Sequence, residues 1–378
     1  MADFIKEPVT EIAISGIRQF NQKASNVEDV IKLTLGELDF HTPDAIKEAV
    51  TNALNNNYTK YTENMGIHEL RKKIALKYDY YHDDEIIITV GTTEGLSIII
   101  KSIINEGDEV IIPTPAYVGY KPLIIIERGI VKELDITKND FTITKAALED
   151  CYSPKTKAII ITNPNNPTGL ILSNEEMETI KDFVLEKDIL LIADEIYSQI
   201  DFEKAFTSFT KYKVLKDNLL CLNGFSKSHA MTGFRIGYIL GESLLIRDLL
   251  KTHQYSVTSA TSISQHAAIK ACDVDTSYMT DELKKRKAFL CQRLDEIGLT
   301  YIEPKGAFYV FCDISTYSKS SIAFCEELLF RFKVACIPGE AFLGNNNHYI
   351  RISYATNIEQ LSIALNRIQE FITDLKTR

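Results

Sequence analysis

The sequence lacks the features that mark several common classes of protein. No stretch approaches the roughly 20 apolar residues of a membrane-spanning helix, because Lys101 interrupts the most hydrophobic run, residues 96–104. The first 20 residues contain acidic side chains and no apolar core, which argues against a secretory signal and favours the cytoplasm. The seven cysteines are odd in number and form no CxxC pair, which predicts reduced thiols and no metal site.

Basic side chains are outnumbered by acidic ones. The 378 residues include 42 basic and 52 acidic side chains, for a net charge of −10. This balance disfavours binding to nucleic-acid phosphates and to anionic membrane surfaces. The P-loop, GxSxG, HExxH and GxGxxG patterns are all missing from the chain.

Apolar runs typical of strands alternate with helical patterns through the middle of the chain. The helical patterns cover residues 94–105 and 173–187, and the strand-like runs are residues 85–90, 109–113, 158–162, 189–193, 219–222 and 236–240. Continuous apolar strands between helices predict an α/β fold with a mostly parallel sheet covered on both faces. Ligands of such sheets bind beyond the carboxyl ends of the strands.

The two ends of the chain follow a different pattern. The first 45 residues lack the alternation, and after about residue 275 a charged helix (280–296), two strands (307–312 and 349–353) and a final helix (358–375) are predicted. We therefore expect a large central domain at 46–275. A smaller α/β domain is expected from both termini, with residues 1–45 as an arm and part of it and 276–378 as the rest.

Two of the strand ends carry candidate binding loops. Thr92 and Thr93 follow the first strand and open a helix, whose N-terminus suits a phosphate or is simply capped by threonine. The loop 163–169 (NPNNPTG) follows the third strand, and its turn-forming residues explain a tight loop by themselves. A loop of this kind also suits the precise placement of an amide, for which Asn166 is the candidate.

Charged residues end two further strands. Asp194 closes a buried strand and either faces a cationic ligand atom or is satisfied by backbone N–H groups. Lys227, just beyond the next strand, is either a surface lysine or an amine with a lowered pKa that acts as a nucleophile. Arg235 supplies a second fixed positive charge for a phosphate.

Together and in this order, these motifs resemble the class I/II aminotransferases of fold type I, which use pyridoxal 5′-phosphate (PLP). The resemblance spans nearly the whole chain. It rests on NPNNPTG, on DEIY at 194–197, on SK at 226–227 with GFRIGY at 233–238, and on segments 36–40, 61–66, 338–342 and 351–353.

The resemblance implies a role for each residue that would surround the cofactor ring. Lys227 forms the covalent aldimine with PLP and then moves the proton at the substrate Cα. Asp194 pairs with the ring nitrogen, which keeps the ring an electron sink. Asn166 and Tyr197 bind the phenolic oxygen, and Tyr117 stacks on the ring.

The resemblance also assigns residues to the cofactor phosphate and to the substrate. Thr92, Thr93, Ser226 and Arg235 correspond to phosphate ligands, and Tyr61 corresponds to a tyrosine that reaches the phosphate from a neighbouring subunit. That correspondence implies a homodimer with shared active sites.

Arg351 corresponds to the residue that binds the substrate α-carboxylate through two parallel hydrogen bonds. Gly36 and Asn166 complete that end of the site. Two positions depart from the family pattern: Leu38 replaces a frequent proline, and Gly224 replaces a serine that would contact the phosphate.

The implied activity is a ping-pong transfer of an amino group from an L-amino acid to a 2-oxo acid. Segments 14–18, 226–238, 253–255 and 262–265 are similar to a bacterial branch called aminotransferase A, which is linked to N-acetyl-L,L-diaminopimelate. Relatives act on aspartate or aromatic amino acids. Two alternatives stay open: a PLP-dependent carbon–sulfur β-lyase, and a non-catalytic regulator or binding module of the same fold.

Overall fold

A computed structural model of the protein describes residues 4–378 as alternating helices and strands. The helices are α1 (Glu7–Thr10), α2 (Gly16–Ser25), α3 (Asp44–Asn55), α4 (His68–Ala75), α5 (Gly91–Ile103), α6 (Tyr120–Ile126), α7 (Lys145–Cys151), α8 (Asn174–Lys187), α9 (Ser243–Val257), α10 (Ser262–Ala271), α11 (Ser277–Ile297), α12 (Ser321–Phe332) and α13 (Ile358–Thr377). The strands are β1 (Ile31–Lys32), β2 (Ile86–Thr89), β3 (Glu109–Thr114), β4 (Ile130–Asp135), β5 (Thr156–Thr162), β6 (Leu190–Asp194), β7 (Leu219–Gly224), β8 (Gly237–Gly241), β9 (Tyr301–Ile302), β10 (Tyr309–Asp313), β11 (Val334–Ala335), β12 (Ile337–Pro338) and β13 (Tyr349–Ser353).

The largest sheet has seven strands in the order β2-β8-β7-β6-β5-β3-β4. Strand pairs β3–β4, β3–β5, β5–β6 and β6–β7 are parallel, whereas β8 runs antiparallel to β2 and β7. The prediction of a mostly parallel α/β sheet is therefore confirmed.

Helices cover both faces of this sheet, as alternate side chains of β5 demonstrate. Ile159 and Ile161 pack in one apolar cluster with Phe183 of α8. Ile160 points to the opposite face and packs in a second cluster with Ile99 of α5. Burying each of these side chains stabilises the fold by about 1.5–3 kcal/mol, which is why the strands are apolar along their whole length.

A second region combines the two ends of the chain. Four antiparallel strands form a sheet in the order β12-β13-β10-β9, and β1 pairs in parallel with β11. Phe20 and Leu33 share one apolar core with Leu365 and Phe371 of α13. A smaller α/β region built from both termini is therefore present, while the domain boundaries at 45/46 and 275/276 stay predictions.

Several element boundaries differ from the predicted ones for local reasons. Helix α5 begins at Gly91 and not at Glu94, because the Glu94 carboxylate accepts a hydrogen bond from the Val90 N–H at 2.6 Å and caps an earlier first turn. Strand β10 begins at Tyr309 because Ala307 has a left-handed φ of 56°, which is incompatible with a strand. Strand β4 is not predicted from the sequence, because its side chains are largely exposed or half-buried and form no continuous apolar run.

Within residues 4–378, no helix has the combination of length and apolar surface that would let it cross a lipid bilayer. All seven cysteines are free thiols, and Cys221, Cys312, Cys325 and Cys336 are buried.

Candidate active site

A cavity of about 360 Å³ opens at the carboxyl ends of the parallel strands. Thr162 of β5 lies opposite Asp194 of β6, and Asp194 lies opposite Leu222 of β7, so the segments that follow these strands meet at one edge. Those segments carry Asn166 and Lys227, which both line the cavity. The volume falls within the range of small-molecule sites.

One part of the cavity is formed by the N-terminus of α5. Thr92 and Thr93 lie in its first turn, where backbone N–H groups have no partner within the helix. A Cβ atom on Gly91 would lie 2.7 Å from Nη2 of Arg235, so glycine at this position lets the guanidinium approach the helix end. With Ser226 nearby on the cavity wall, these groups form a cup suited to a phosphate.

A second part of the cavity presents the buried carboxylate of Asp194, which is 8% exposed. Burial raises its pKa, and hydrogen bonds from the Tyr120 hydroxyl and the Ile196 N–H oppose the rise. Within residues 4–378, Asp194 forms no ion pair, and Lys227 acts on it only at longer range. The carboxylate is therefore available to a cationic ligand atom.

Lys227 follows β7 and donates a hydrogen bond from Nζ to the Gly36 carbonyl at 2.6 Å. Burial lowers its pKa to about 8, helped by the positive charges of Arg235 and Arg351 and opposed by Glu37 and Asp194. An amine with this pKa is substantially neutral near pH 8, so it can attack a carbonyl carbon.

Arg351 projects from β13 and is 2% exposed. Its Nη1 donates to Oδ1 of Asn166 at 3.0 Å, and its Nη2 donates to the Thr34 carbonyl at 2.9 Å. The guanidinium carbon lies 4.2 Å from the centre of the Tyr309 ring. Within residues 4–378, its buried Nε has no hydrogen-bond partner.

Aromatic side chains complete the walls. The Tyr197 and Tyr309 hydroxyls lie 3.0 Å apart. Tyr117, half-buried, packs edge-on against Tyr120 with ring centres 5.5 Å apart.

The structure brings together all but one of the predicted site residues. The cavity is lined by Gly36, Thr92, Thr93, Tyr117, Asn166, Asp194, Tyr197, Ser226, Lys227, Arg235 and Arg351. Tyr61 lies outside it, with 87% of its surface exposed, in a shallow depression beside residues 259–262. Tyr61 is predicted to reach the site of a neighbouring subunit and not the site of its own chain. Its position in a single chain does not test that role, which stays a prediction.

Several further residues line the cavity that sequence reasoning did not single out, among them Glu37, Tyr120, Thr162 and Tyr309. Glu37 lies within segment 36–40 and Thr162 ends the predicted strand 158–162, so their positions offered a signal. Tyr309 offered none, because it enters the site from a different sheet.

Glu195, next to Asp194, allows a test of how a buried charge affects the stability of the fold. Burial raises its pKa from 4.5 to about 7, although the Ser208 hydroxyl and the Phe209 N–H donate to its Oε1 at 2.9 and 3.0 Å. In that pH window the folded state binds a proton that the unfolded state releases. Stability therefore falls as pH rises from 4.5 to 7, by about 3 kcal/mol at most.

We expect Glu195→Gln, which keeps an acceptor for both donors, to melt at a higher temperature than the wild type at pH 8 and similarly at pH 5. Thermal melts at both pH values measure this. Glu85→Gln is the matched control, because buried Glu85 is paired with Lys216 at 2.8 Å and its neutralisation should destabilise. Equal melting of Glu195→Gln and wild type at pH 8 would contradict the prediction.

Comparisons with known proteins define the class to which this fold and this site belong. The family model "Aminotransferase class I and II" matches residues 28–368. The chain therefore belongs to the class I and II aminotransferases, and it is an enzyme of the transaminase type. The alternative of a non-catalytic binding module is set aside.

Individual relatives are similar to this chain over nearly their full lengths. The chain is 40% identical to the putative aminotransferase YugH of Bacillus subtilis, covering 98% of this chain and 99% of that protein. It is 37% identical to a probable N-acetyl-LL-diaminopimelate aminotransferase of the same organism, covering 98% and 96%. The crystal structure of aspartate aminotransferase from Thermotoga maritima matches with a TM-score of 0.92 at 36% identity, covering 98% and 100%.

Proposed function

We propose that the protein is a PLP-dependent aminotransferase that moves the amino group of an L-amino acid to a 2-oxo acid in a ping-pong cycle. One observation carries the proposal: Lys227, an amine with a pKa of about 8, shares one cavity with two separate sites for anions. One is the cup at the α5 N-terminus with Arg235, and the other is Arg351. A phosphorylated aldehyde and an amino acid together present two anions and one carbonyl group.

The residues present fit this cofactor. The cup made possible by Gly91 matches a phosphate, and the buried carboxylate of Asp194, without an ion-pair partner in residues 4–378, matches a protonated ring nitrogen. The guanidinium of Arg351, which lines the same cavity, matches an additional anionic ligand. When bound, PLP supplies an electron sink for the negative charge that develops when the substrate Cα loses its proton.

The chain's own groups then have distinct tasks. Lys227 would hold the cofactor covalently and would move the proton at the substrate Cα. Asn166 and Tyr197 would donate hydrogen bonds to the phenolic oxygen of the cofactor, and Tyr117 would cover one face of its ring. Arg351 orients the substrate by its α-carboxylate.

We further propose a homodimer in which Tyr61 of each subunit reaches the phosphate cup of the other. Two features support this. Thr93 and Arg235 leave the cup exposed in the single chain, and Tyr61 presents an aromatic ring almost wholly to solvent. The cytoplasmic location stays a prediction.

The donor we propose is an amino acid with a distal carboxylate. The names of two relatives, an N-acetyl-LL-diaminopimelate and an aspartate aminotransferase, support this class, and both donors carry such a group. Arg18 supports it as well, because it lines a groove that shares Tyr117 with the cavity, and its charge counteracts the rise in the Tyr117 pKa caused mainly by burial. Aromatic donors, which need no second cation, are the other candidates.

A single-turnover donor screen tests the proposal. Purified protein loaded with PLP is mixed with aspartate, glutamate, N-acetyl-L,L-diaminopimelate or phenylalanine in the absence of any 2-oxo acid. We expect one equivalent of oxo acid per site, highest in rate for a dicarboxylate donor, and continuous turnover once 2-oxoglutarate is added. Continuous release of pyruvate and ammonia from cystathionine without an acceptor would instead establish the β-lyase alternative. Failure to bind PLP would overturn the proposal.

A further inference from the structure

The carboxylate of Asp194 is held by a chain of hydroxyl groups that the sequence did not reveal. The Tyr120 hydroxyl donates to Oδ2 of Asp194 at 2.8 Å and lies 2.6 Å from Oγ1 of Thr162. Oδ1 of the same carboxylate accepts from the Ile196 N–H at 3.3 Å. Both oxygens of Asp194 are thus engaged from within the protein.

The direction of this chain follows from the number of protons. A tyrosine hydroxyl has one proton, and a carboxylate can only accept, so the proton of Tyr120 points to Asp194. Thr162 must then donate to the oxygen of Tyr120. Each donation polarises the next, so the Thr162–Tyr120–Asp194 chain delivers a strengthened hydrogen bond to the carboxylate.

Packing makes the chain rigid. Tyr120 is 1% exposed, and its ring packs edge-on against Tyr117, the aromatic residue proposed to cover the cofactor ring. Thr162 and Asp194 are paired residues of neighbouring strands. Tyr120, in the first turn of α6, therefore connects two residues proposed to contact the cofactor ring. Tyr117 is proposed to cover one face of the ring, and Asp194 is proposed to pair with its nitrogen.

We propose that Tyr120 is a positioning residue, which holds the Asp194 carboxylate in one orientation through the Thr162–Tyr120–Asp194 chain and so keeps the cofactor ring nitrogen protonated. The inference rests on the proposed function. It names the residue of this chain that would help the cofactor to act as an electron sink. Removing the hydroxyl frees one carboxylate oxygen and weakens the stabilisation of its charge, because burial alone favours the neutral form.

The test is Tyr120→Phe, which keeps the ring and its contact with Tyr117. In the PLP-loaded enzyme we expect kcat to fall about 10- to 100-fold with KM for the donor nearly unchanged. We also expect PLP labelled at its ring nitrogen to show a smaller protonated fraction by NMR than in the wild type. Thr162→Val should shift both readouts in the same direction by a smaller amount.

Two controls separate positioning from a general structural role. Tyr78→Phe removes another paired tyrosine hydroxyl, 2.8 Å from that of Tyr238 and outside the cavity lining, and should leave the nitrogen signal unchanged. In an Asp194→Asn background, Tyr120→Phe should have no further effect on that signal. A Tyr120→Phe enzyme with wild-type kcat and nitrogen signal would overturn this inference alone. A wild-type protein that binds no PLP would overturn it together with the proposed function.

Discussion

Replacing Lys227 by alanine is expected to reduce turnover by roughly 10⁴-fold or more while the protein stays folded. The amine is the group within the cavity that can hold an aldehyde covalently, and its lowered pKa leaves it neutral enough to accept a proton near pH 8. Its Nζ donates a hydrogen bond to the Gly36 carbonyl. Because the charged form of this amine is disfavoured by burial, its removal should cost little stability. Steady-state rates and thermal melts of the variant measure both expectations.

Lys227→Arg provides the matched control, because it keeps a positive charge at the position but cannot form the covalent link. It should be as inactive as the alanine variant. Normal turnover by either variant would contradict the assignment of Lys227.

Mixing variant subunits tests two points at once. It shows whether the Lys227→Ala chain is folded well enough to support a neighbouring site, and whether the two subunits share their sites. A Tyr61→Ala subunit retains Lys227, and a Lys227→Ala subunit retains Tyr61. If Tyr61 acts across the dimer, each mixed dimer contains one complete site. Refolding the two variants together in equal amounts should then restore about a quarter of wild-type activity. No recovery, with mixed dimers demonstrated by mass, would exclude sharing through Tyr61.

Substituting Arg351 should have the second largest effect. We expect Arg351→Gln to lower kcat/KM for α-amino acids by about 10³-fold, because a buried guanidinium makes two charge-assisted bonds to one carboxylate and its loss leaves that anion unpaired. The side chain is almost fully buried and already oriented by Asn166 and Thr34. It therefore pays little ordering entropy when the substrate binds.

The matched variant is Arg351→Lys, which keeps the charge but loses the planar pair of donors. Its kcat/KM should lie between those of wild type and Arg351→Gln. Amine donors that lack a carboxylate should react equally poorly with all three proteins. A glutamine variant that binds α-amino acids as tightly as wild type would place the carboxylate site elsewhere.

The same substitution should change the pH dependence of PLP capture by the apoprotein. The charge of Arg351 helps to lower the Lys227 pKa to about 8, after burial and Arg235. Without that charge the pKa rises, so the neutral, reactive amine forms only at higher pH. Capture rates measured across pH 6–10 should therefore shift to higher pH in Arg351→Gln.

Much of the fold and site follows from local sequence. Apolar runs such as residues 158–162 predict buried parallel strands, and the carboxyl ends of such strands meet at one edge of the sheet. That rule alone directed attention to Thr92, Asn166, Asp194 and Lys227, each within a few residues of a strand end. Their residue types, in the family's order, then implied the chemistry.

The tertiary structure alone decided what holds these groups in place. Tyr120 and Asp194 are 74 residues apart in sequence, Tyr197 and Tyr309 are 112 apart, Asn166 and Arg351 are 185 apart, and Thr34 and Arg351 are 317 apart. Such pairs depend on the order of strands in two sheets and on how both ends of the chain fold together. A periodic pattern records which face of an element is buried, and it carries no information about the distant side chain that meets a polar group there.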